Sequence, residues 1–350
     1  METIAPMLAK AVAAVPDPDS VAGGLRYEPK WDGFRGIVTI DGDDVEIGSR
    51  GAKPLTRYFP ELVEAFRAQF GGRPGPVVLD GEVIVRSGEP GREALDWEAL
   101  SQRIHPAASR IAKLSVETPA QFVAFDLLHL DGEDLSSRPF DDRRAALEAL
   151  GADLSAPLFV TRTTLDVELA RQWLTTFEGA GLDGVVAKPR QRPYEPNKRT
   201  MLKIKHHREA DVVAVGYRVH KSGTGVGSLL LGLYDADGEL RMVGGVSAFS
   251  DRKRRELVDE LEPLVERDTD GRPVTGASER SRFSSGRDTS FVRLAPERVL
   301  EVRYDQMEGD RFRHTVQFAR WRPDREARSC GFDQLEVPVD WDLGDVLDRA

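Results

Sequence analysis

The chain has 350 residues, enough for two or three domains, and its 40% apolar and 31% charged residues fit a soluble globular protein. It has no apolar run of about 18 residues and no basic, apolar leader, so neither a membrane span nor a signal peptide is expected. The single cysteine, Cys330, excludes an intramolecular disulfide and a cysteine-built zinc site, and points to the cytoplasm; the net charge of −10 argues against non-specific nucleic-acid binding by the chain as a whole.

Residues 1–24 are a short lead-in with a loop at Pro16-Asp17-Pro18-Asp19. Residues 25–30 and 34–40 read as strands around an Asp32-Gly33 turn, followed by a third strand over 45–48. The expectation is an antiparallel meander with Lys30 at its start. Leu62, Val63, Phe66 and Phe70 predict a helix over 59–70, ended by Gly71-Gly72. Strong strands are expected over 77–85, with Asp80 and Glu82 on one face, and over 122–130, carrying Phe125 and Asp126. Helices are expected over 96–104, over 141–150 with Asp141 as N-cap, and over 166–177; residues 105–119 read as an irregular loop. Two more strands, 183–188 and 201–205, close this part.

The composition changes near residue 208. Strands are expected over 210–219, 229–234, 240–246, 298–307 and 312–318, with a helix over 251–262 between the third and fourth. That order is the one found in oligonucleotide/oligosaccharide-binding (OB) barrels. Residues 268–290, rich in Gly, Ser, Thr and Arg, predict a mobile loop. Gly223-Thr224-Gly225-Val226-Gly227 is followed by no helix, so it reads as a flexible loop and not as a dinucleotide fingerprint.

Several strands of the first 207 residues place polar groups on one face and apolar groups on the other. Lys203 and Lys205 oppose Leu202 and Ile204; Asp80 and Glu82 oppose Leu79 and Val83; Lys188 opposes Val185 and Ala187. From residue 188 to 208 eight cations face the single acid Glu195. One such polar face is ordinary solvent surface. Several of them, converging with Lys30 in Glu28-Pro29-Lys30-Trp31-Asp32-Gly33-Phe34-Arg35, describe a site for a metal–polyphosphate. A lysine amine attacks an electrophile only when unprotonated, and neighbouring cations and desolvation favour that form.

At this point the chain resembles the ATP-dependent DNA ligases, within the wider lysine-nucleotidyltransferase superfamily. Lys30-Trp31-Asp32-Gly33 looks like the nucleophile motif and Ser49-Arg50-Gly51 like the next. Asp80-Gly81-Glu82 and Phe125-Asp126 look like the third motif and its companion. Asp183-Gly184-Val185-Val186-Ala187-Lys188 and Leu202-Lys203-Ile204-Lys205 look like the fourth and fifth, and residues 318–325 like the last. The closest likeness is to short two-domain bacterial enzymes such as the actinobacterial type C ligases. Two departures stand out: Asp183 where the fourth motif usually has Glu, and Arg325 where the last motif usually has Lys.

The resemblance implies an α+β chain: an ATP-grasp-like nucleotidyltransferase (adenylation) domain over 1–207, with antiparallel sheets and flanking helices, and an OB-fold β-barrel over 208–350. It implies that Lys30 attacks ATP and carries AMP, which then activates a DNA 5′-phosphate. Glu28 is expected to select adenine and Phe125 to stack on it. Arg35, Arg50 and Glu82 are expected to hold ribose and phosphate, and Lys188, Lys203 and Lys205 the α-phosphate. Glu82 and Asp183 are the expected ligands of Mg²⁺ or Mn²⁺. Asp324 and Arg325 are expected to orient pyrophosphate, with a hinge near 206–209. Expected partners are nicked or broken duplex DNA and repair proteins, for a cytoplasmic monomer that is nucleoid-associated when acting, with no membrane contact. The competing readings are an RNA ligase or mRNA capping guanylyltransferase, and a non-catalytic nucleic-acid-binding barrel. An NAD⁺-dependent ligase is disfavoured, because the chain has no room for an N-terminal nicotinamide-binding domain and too few cysteines for a zinc module.

Overall fold

The computed structural model describes residues 4–51, 53–206, 208–277, 289–336, 339 and 341–347. They fall into two compact units, Met1–His206 with Pro338–Ala350, and His207–Val337. Among the described residues no helix is long and apolar enough to cross a membrane.

The first unit contains two large sheets and a two-stranded ladder, Arg86–Ser87 with Ala94–Leu95. One has four strands in the order β1 (Leu8–Ala11), β9 (Arg199–Ile204), β8 (Val185–Pro189), β2 (Leu25–Pro29). The other runs β7 (Leu158–Val160), β6 (Gln121–Leu130), β5 (Val77–Ile84), β3 (Phe34–Asp41), β4 (Asp44–Ser49), with a short strand at Glu133–Asp134 beside β6. The meander expected through Lys30 is therefore not formed. β3 has partners on both edges, β4 and β5, so β2 pairs with β8 in the other sheet. Lys30 lies on the crossover between the two sheets.

β5 is buried almost throughout, yet it carries Asp80 and Glu82. Its ladder with β6 shifts register between Asp80 and Gly81: Asp80 faces Asp126 and Gly81 faces Ala124, which leaves Phe125 as the extra residue of a bulge. Gly81 is required here, because a Cβ would lie 2.3 Å from the Phe122 ring and 2.6 Å from the Val123 carbonyl. Asp80 and Asp126 are like charges directly opposite each other, a destabilising pairing unless each is neutralised. Arg35 forks onto Asp80 and Arg143 onto Asp126.

The helices cover the sheets with apolar stripes. α1 (Pro60–Phe70) buries Leu62, Phe66 and Phe70 at helical spacing. α2 is Trp97–Gln102, capped by Asp96. α3 (Ala108–Glu117) forms where an irregular loop was expected; it buries only Ile111 and Leu114 and has no side-chain N-cap, so its sequence signal is sparse. α4 (Phe140–Gly151) starts after Pro139, not at Asp141, whose carboxylate instead holds Arg26 and Arg190. Asp166 caps α5 (Val167–Thr176) by accepting from the amides of Glu168 and Leu169.

Residues 339 and 341–347 also belong to this unit, although 208–350 was expected as one barrel domain. Short α7 (Leu343–Leu347) buries Leu343, Val346 and Leu347 in the same apolar cluster as Trp31, Phe177 and Leu182. The Asp342 carboxylate accepts from the Glu93 amide at 2.9 Å, and Arg162 donates to the Val346 carbonyl at 3.1 Å. Val346→Ala is expected to destabilise the first unit by about 2 kcal/mol, through two lost methyls and the gap they leave. Urea unfolding followed by tryptophan fluorescence checks this, and an unchanged midpoint would place the segment outside the core.

The second unit is built on one sheet of seven strands. Its path is β12 (Leu240–Val246), β11 (Val226–Tyr234), β10 (Arg208–Val219), β14 (Ser290–Arg293), β13 (Thr275–Ala277). β15 (Val299–Tyr304) pairs with the first half of β10, and β16 (Gln317–Trp321) pairs with β15. α6 (Asp251–Leu261), capped by Ser250, packs Leu257 and Leu261 into the core. The expected barrel is not closed by a ladder: among the described residues β12 reaches the segment before β16 only through the bridge Val246–Val316. Part of the loop expected over 268–290 is strand, β13 and β14, and residues 278–288 of it lie outside the described residues. The strand expected over 312–318 is displaced to β16, because Arg311–Phe312 pairs with Met307–Glu308.

Candidate active site

Lys30 leaves β2 stitched to the strand that follows Asp183. The Lys30 amide donates to the Gly184 carbonyl at 2.8 Å, and the Asp183 amide donates to the Lys30 carbonyl at 3.0 Å. Gly184 makes this approach possible: its φ is +121°, and a Cβ would lie 2.0 Å from the Ile204 carbonyl. The result brings Lys30 Nζ to 2.7 Å from Asp183 Oδ2, with Lys205 Nζ 3.0 Å from the same oxygen. Burial opposes ionisation of Asp183, but Lys30 and Lys205 outweigh it and hold the carboxyl below its ordinary range. Burial, then Lys30 and Lys205, lower the Lys203 ammonium from its usual value.

Beside Lys30 lies a cavity of about 210 Å³. Glu28, Lys30, Arg35, Arg50, Glu82, Phe125, Lys188 and Lys203 all line it, so the structure gathers eight of the expected residues around one space. Arg50 is on its exposed rim. Glu82 Oε1 accepts from the Gly33 amide at 3.1 Å, a contact open only to glycine, since a Cβ at Gly33 would lie 2.1 Å from the Val83 carbonyl. Burial pushes the Glu82 carboxyl up to about 7 against the pull of Arg35 and Lys30.

Two expected roles meet a different geometry. Lys188 is 2% exposed; its ammonium donates to Glu28 Oε1 at 2.8 Å and to the Phe125 carbonyl at 3.0 Å. It is thus committed to the floor of the cavity and not presented to a phosphate beside Lys30. Phe125 is 6% exposed, with Arg35 4.5 Å and Lys188 4.7 Å from its ring centre. Both cations lie within cation–π distance of the ring, which also lines the cavity. The other Glu28 oxygen, Oε2, is buried without a hydrogen-bond partner. Such an orphaned acceptor is costly, and an N–H donor in the cavity would satisfy it.

Arg35 holds its place through a residue that sequence reasoning missed. Its guanidinium forks onto Asp80 at 2.5 and 2.6 Å, and the Tyr194 hydroxyl donates to Asp80 Oδ2 at 2.7 Å. The same hydroxyl accepts from the Met7 amide at 2.9 Å, fixing the segment that forms one cavity wall. Val186 and Met201 add apolar wall. The run around Tyr194 reads in sequence only as charge, and apolar wall residues look like any strand residue.

Asp324 and Arg325 belong to the second unit, where each has a partner. Arg322 holds Asp324 at 2.9 Å and pulls its carboxyl down to about 2. Arg325 Nη1 lies 2.9 Å from Asp211 Oδ2, and its Nη2 donates to the Ser329 carbonyl at 3.1 Å.

Among the described residues no group of three or more His, Cys, Asp or Glu side chains could hold a metal ion. Glu82 and Asp183 offer at most two carboxylates near Lys30. That donor set fits Mg²⁺, which keeps waters and takes its remaining oxygens from substrate phosphates. Taken together, the cavity can receive a donor-bearing base against Glu28 and a phosphate chain against Lys30 and Lys203, with Lys205 beside them on Asp183.

A family model described as an ATP dependent DNA ligase domain matches residues 6–205, and one described as an ATP dependent DNA ligase C terminal region matches 222–325. The chain is 52% identical to DNA ligase C of Mycobacterium tuberculosis, over 99% of this chain and 98% of that protein. It is 55% identical to DNA ligase C1 of Mycolicibacterium smegmatis, over 99% and 97%. A solved structure of a Lig E DNA ligase shares the fold at 17% identity, with a TM-score of 0.54 over 91% of this chain and 100% of that one.

Proposed function

The chain belongs to the ATP-dependent DNA ligases, and from that premise we propose how its residues divide the reaction. The enzyme seals nicked DNA with ATP and a divalent metal, through a covalent lysyl-AMP. Lys30 Nζ, as the free amine, attacks the α-phosphorus of ATP; the bond to pyrophosphate breaks and a phosphoramidate forms. AMP then passes to the 5′-phosphate at the nick, and Lys30 leaves as an amine. The 3′-hydroxyl attacks that phosphate, the strand is joined and AMP departs.

The observation that carries this division is the Lys30–Asp183–Lys205 contact beside a cavity that Lys30 lines together with Glu28, one of whose carboxylate oxygens is buried without a partner. Glu28 Oε2 accepts from the adenine amino group and selects ATP. Lys188 supports Glu28 rather than the α-phosphate, while Lys203 and Lys205 take the phosphate charge. Arg35, Arg50 and Glu82 hold ribose and phosphate, and Phe125 walls the base. Asp183 orients Lys30 and gives up its hold as the amine turns to phosphorus. Glu82 and Asp183 are the residues that would hold Mg²⁺ or Mn²⁺, which when bound neutralises charge on the phosphate oxygens. Asp324 and Arg325 act on the departing pyrophosphate.

DNA contacts are mainly to phosphates, so nick binding weakens steeply with salt. The remaining expectations stand on the same reading: a cytoplasmic monomer acting at the nucleoid in DNA repair, recruited by repair proteins. The test is labelling with α-phosphate-tagged ATP, GTP and NAD⁺, then peptide mapping and sealing of nicked DNA or RNA. The expected result is AMP on Lys30 from ATP alone and sealing of DNA. Labelling from GTP, or an adduct on another residue, would overturn it.

A further inference from the structure

Asp211 lies on β10 in direct register with Glu301 on β15, and Glu301 in turn faces Arg320 on β16. Two carboxylates directly opposite each other on adjacent strands repel. Asp211 is also 6% exposed, which adds a desolvation cost. The pairing persists because three arginines from β16 and the turn after it close over it. Arg320 Nη2 lies 2.7 Å from Glu301 Oε2, and Arg322 Nη1 lies 3.4 Å from the same oxygen. Asp211 Oδ2 then takes two at once: Arg322 Nη1 at 3.0 Å and Arg325 Nη1 at 2.9 Å. Asp324, between these two arginines in sequence, is held in turn by Arg322.

We propose that Asp211 is a positioning residue for nucleotide activation: with both carboxylate oxygens on Arg322 and one of them shared with Arg325, it sets these arginines, and hence Asp324, in place before ATP is bound. This rests on the reading that Asp324 and Arg325 act on pyrophosphate. The network is electrically balanced, with three acids (Asp211, Glu301, Asp324) and three arginines. Removing the charge of Asp211 takes the carboxylate from Arg325, leaving it the Ser329 carbonyl, and takes from Arg322 one of three carboxylates, so the two guanidiniums that shared Asp211 are left to repel each other. The device also accounts for arginine at 325. A planar fork reaches the Asp211 carboxylate with one nitrogen and the Ser329 carbonyl with another, so its direction is fixed; an ammonium on a flexible stem has no such direction.

Asp211→Asn keeps the size and removes the charge. Two rates of the full-length enzyme are measured: AMP uptake from ATP, and sealing of a nick that already carries a 5′-adenylate. If Asp211 positions the motif, uptake falls by about 10²-fold, the usual scale for a misplaced reacting geometry, while sealing of the adenylylated nick is unchanged. Asp211→Glu, which keeps the charge on a longer arm, falls less. An equal fall in both rates marks a merely structural network and overturns the proposal, as does uptake that is unchanged or faster. Arg325→Ala separates the underlying reading. If it leaves uptake intact, the pyrophosphate role of the last motif fails; if it slows uptake while Asp211→Asn does not, the positioning role of Asp211 fails. Should Asp211→Asn not fold, Asp211→Glu carries the test, and unchanged uptake overturns the proposal.

Discussion

Lys30→Ala takes up no AMP from ATP and loses nick sealing by on the order of 10⁴-fold or more, the scale for removing a nucleophile. It still joins a nick that already carries a 5′-adenylate. The split follows from chemistry: the lysine forms and breaks one bond to phosphorus, and both events precede attack by the 3′-hydroxyl. Other amines in the cavity do not substitute. Lys188 is buried on Glu28, and Lys203 and Lys205 sit on β9 and just beyond its end, where they take the phosphate charge. Only Lys30 is fixed by both its amide and its carbonyl to the Asp183–Gly184 strand. The check is a gel assay with α-labelled ATP beside sealing of a synthetic adenylylated nick. A labelled Lys30→Ala protein would remove this lysine from the mechanism.

Arg143→Ala should destabilise the first unit by about 3–5 kcal/mol, the usual result of stripping one partner from a buried ion pair. Arg143 is fully buried; two of its nitrogens donate to Asp126, both at 2.8 Å, and the third to the carbonyls of Arg138 and Arg192, at 2.7 and 3.2 Å. Without it, Asp126 faces Asp80 across the ladder with one arginine between two carboxylates. Arg143→Met combined with Asp126→Leu removes both charges and should cost less than Arg143→Ala alone. Urea titrations of the three proteins decide it; a double variant as weak as the single one would mean that packing, not charge, is what Arg143 supplies.

Neither Arg143 nor Tyr194 could be read from the chain as part of the site. Periodicity predicts the helix that carries Arg143, but it says nothing about which buried carboxylate that helix meets. The bulge at Phe125 was hidden for a related reason: strict alternation gives faces, and one extra residue re-aims them. What was legible was chemical. Lys30, Glu82, Lys203 and the other polar residues stood out because charge on otherwise apolar strands has no structural reason to be there. Topology was less legible. An Asp-Gly turn between two strands suggests a hairpin, and only the occupancy of both edges of β3 shows why it is not one. Strand order in the second unit was read correctly up to α6; beyond it, ladders of two or three residues and a displaced last strand carry too few residues to leave a pattern.

The docking of residues 341–347 on the first unit makes the second unit an insertion in the first. A truncation before residue 208 would therefore take Leu343, Val346 and Leu347 out of the first unit's core together with the second unit. The same layout orders events on the ribosome. Every residue of the second unit's core cluster lies between 210 and 335, so that unit can close while the chain is still being made. The cluster around Trp31 waits for residues 343–347, which at about 5–20 residues per second follow residue 206 by roughly 10–30 s. For that interval the lysine-bearing half of the nascent enzyme lacks the three residues that complete its apolar cluster.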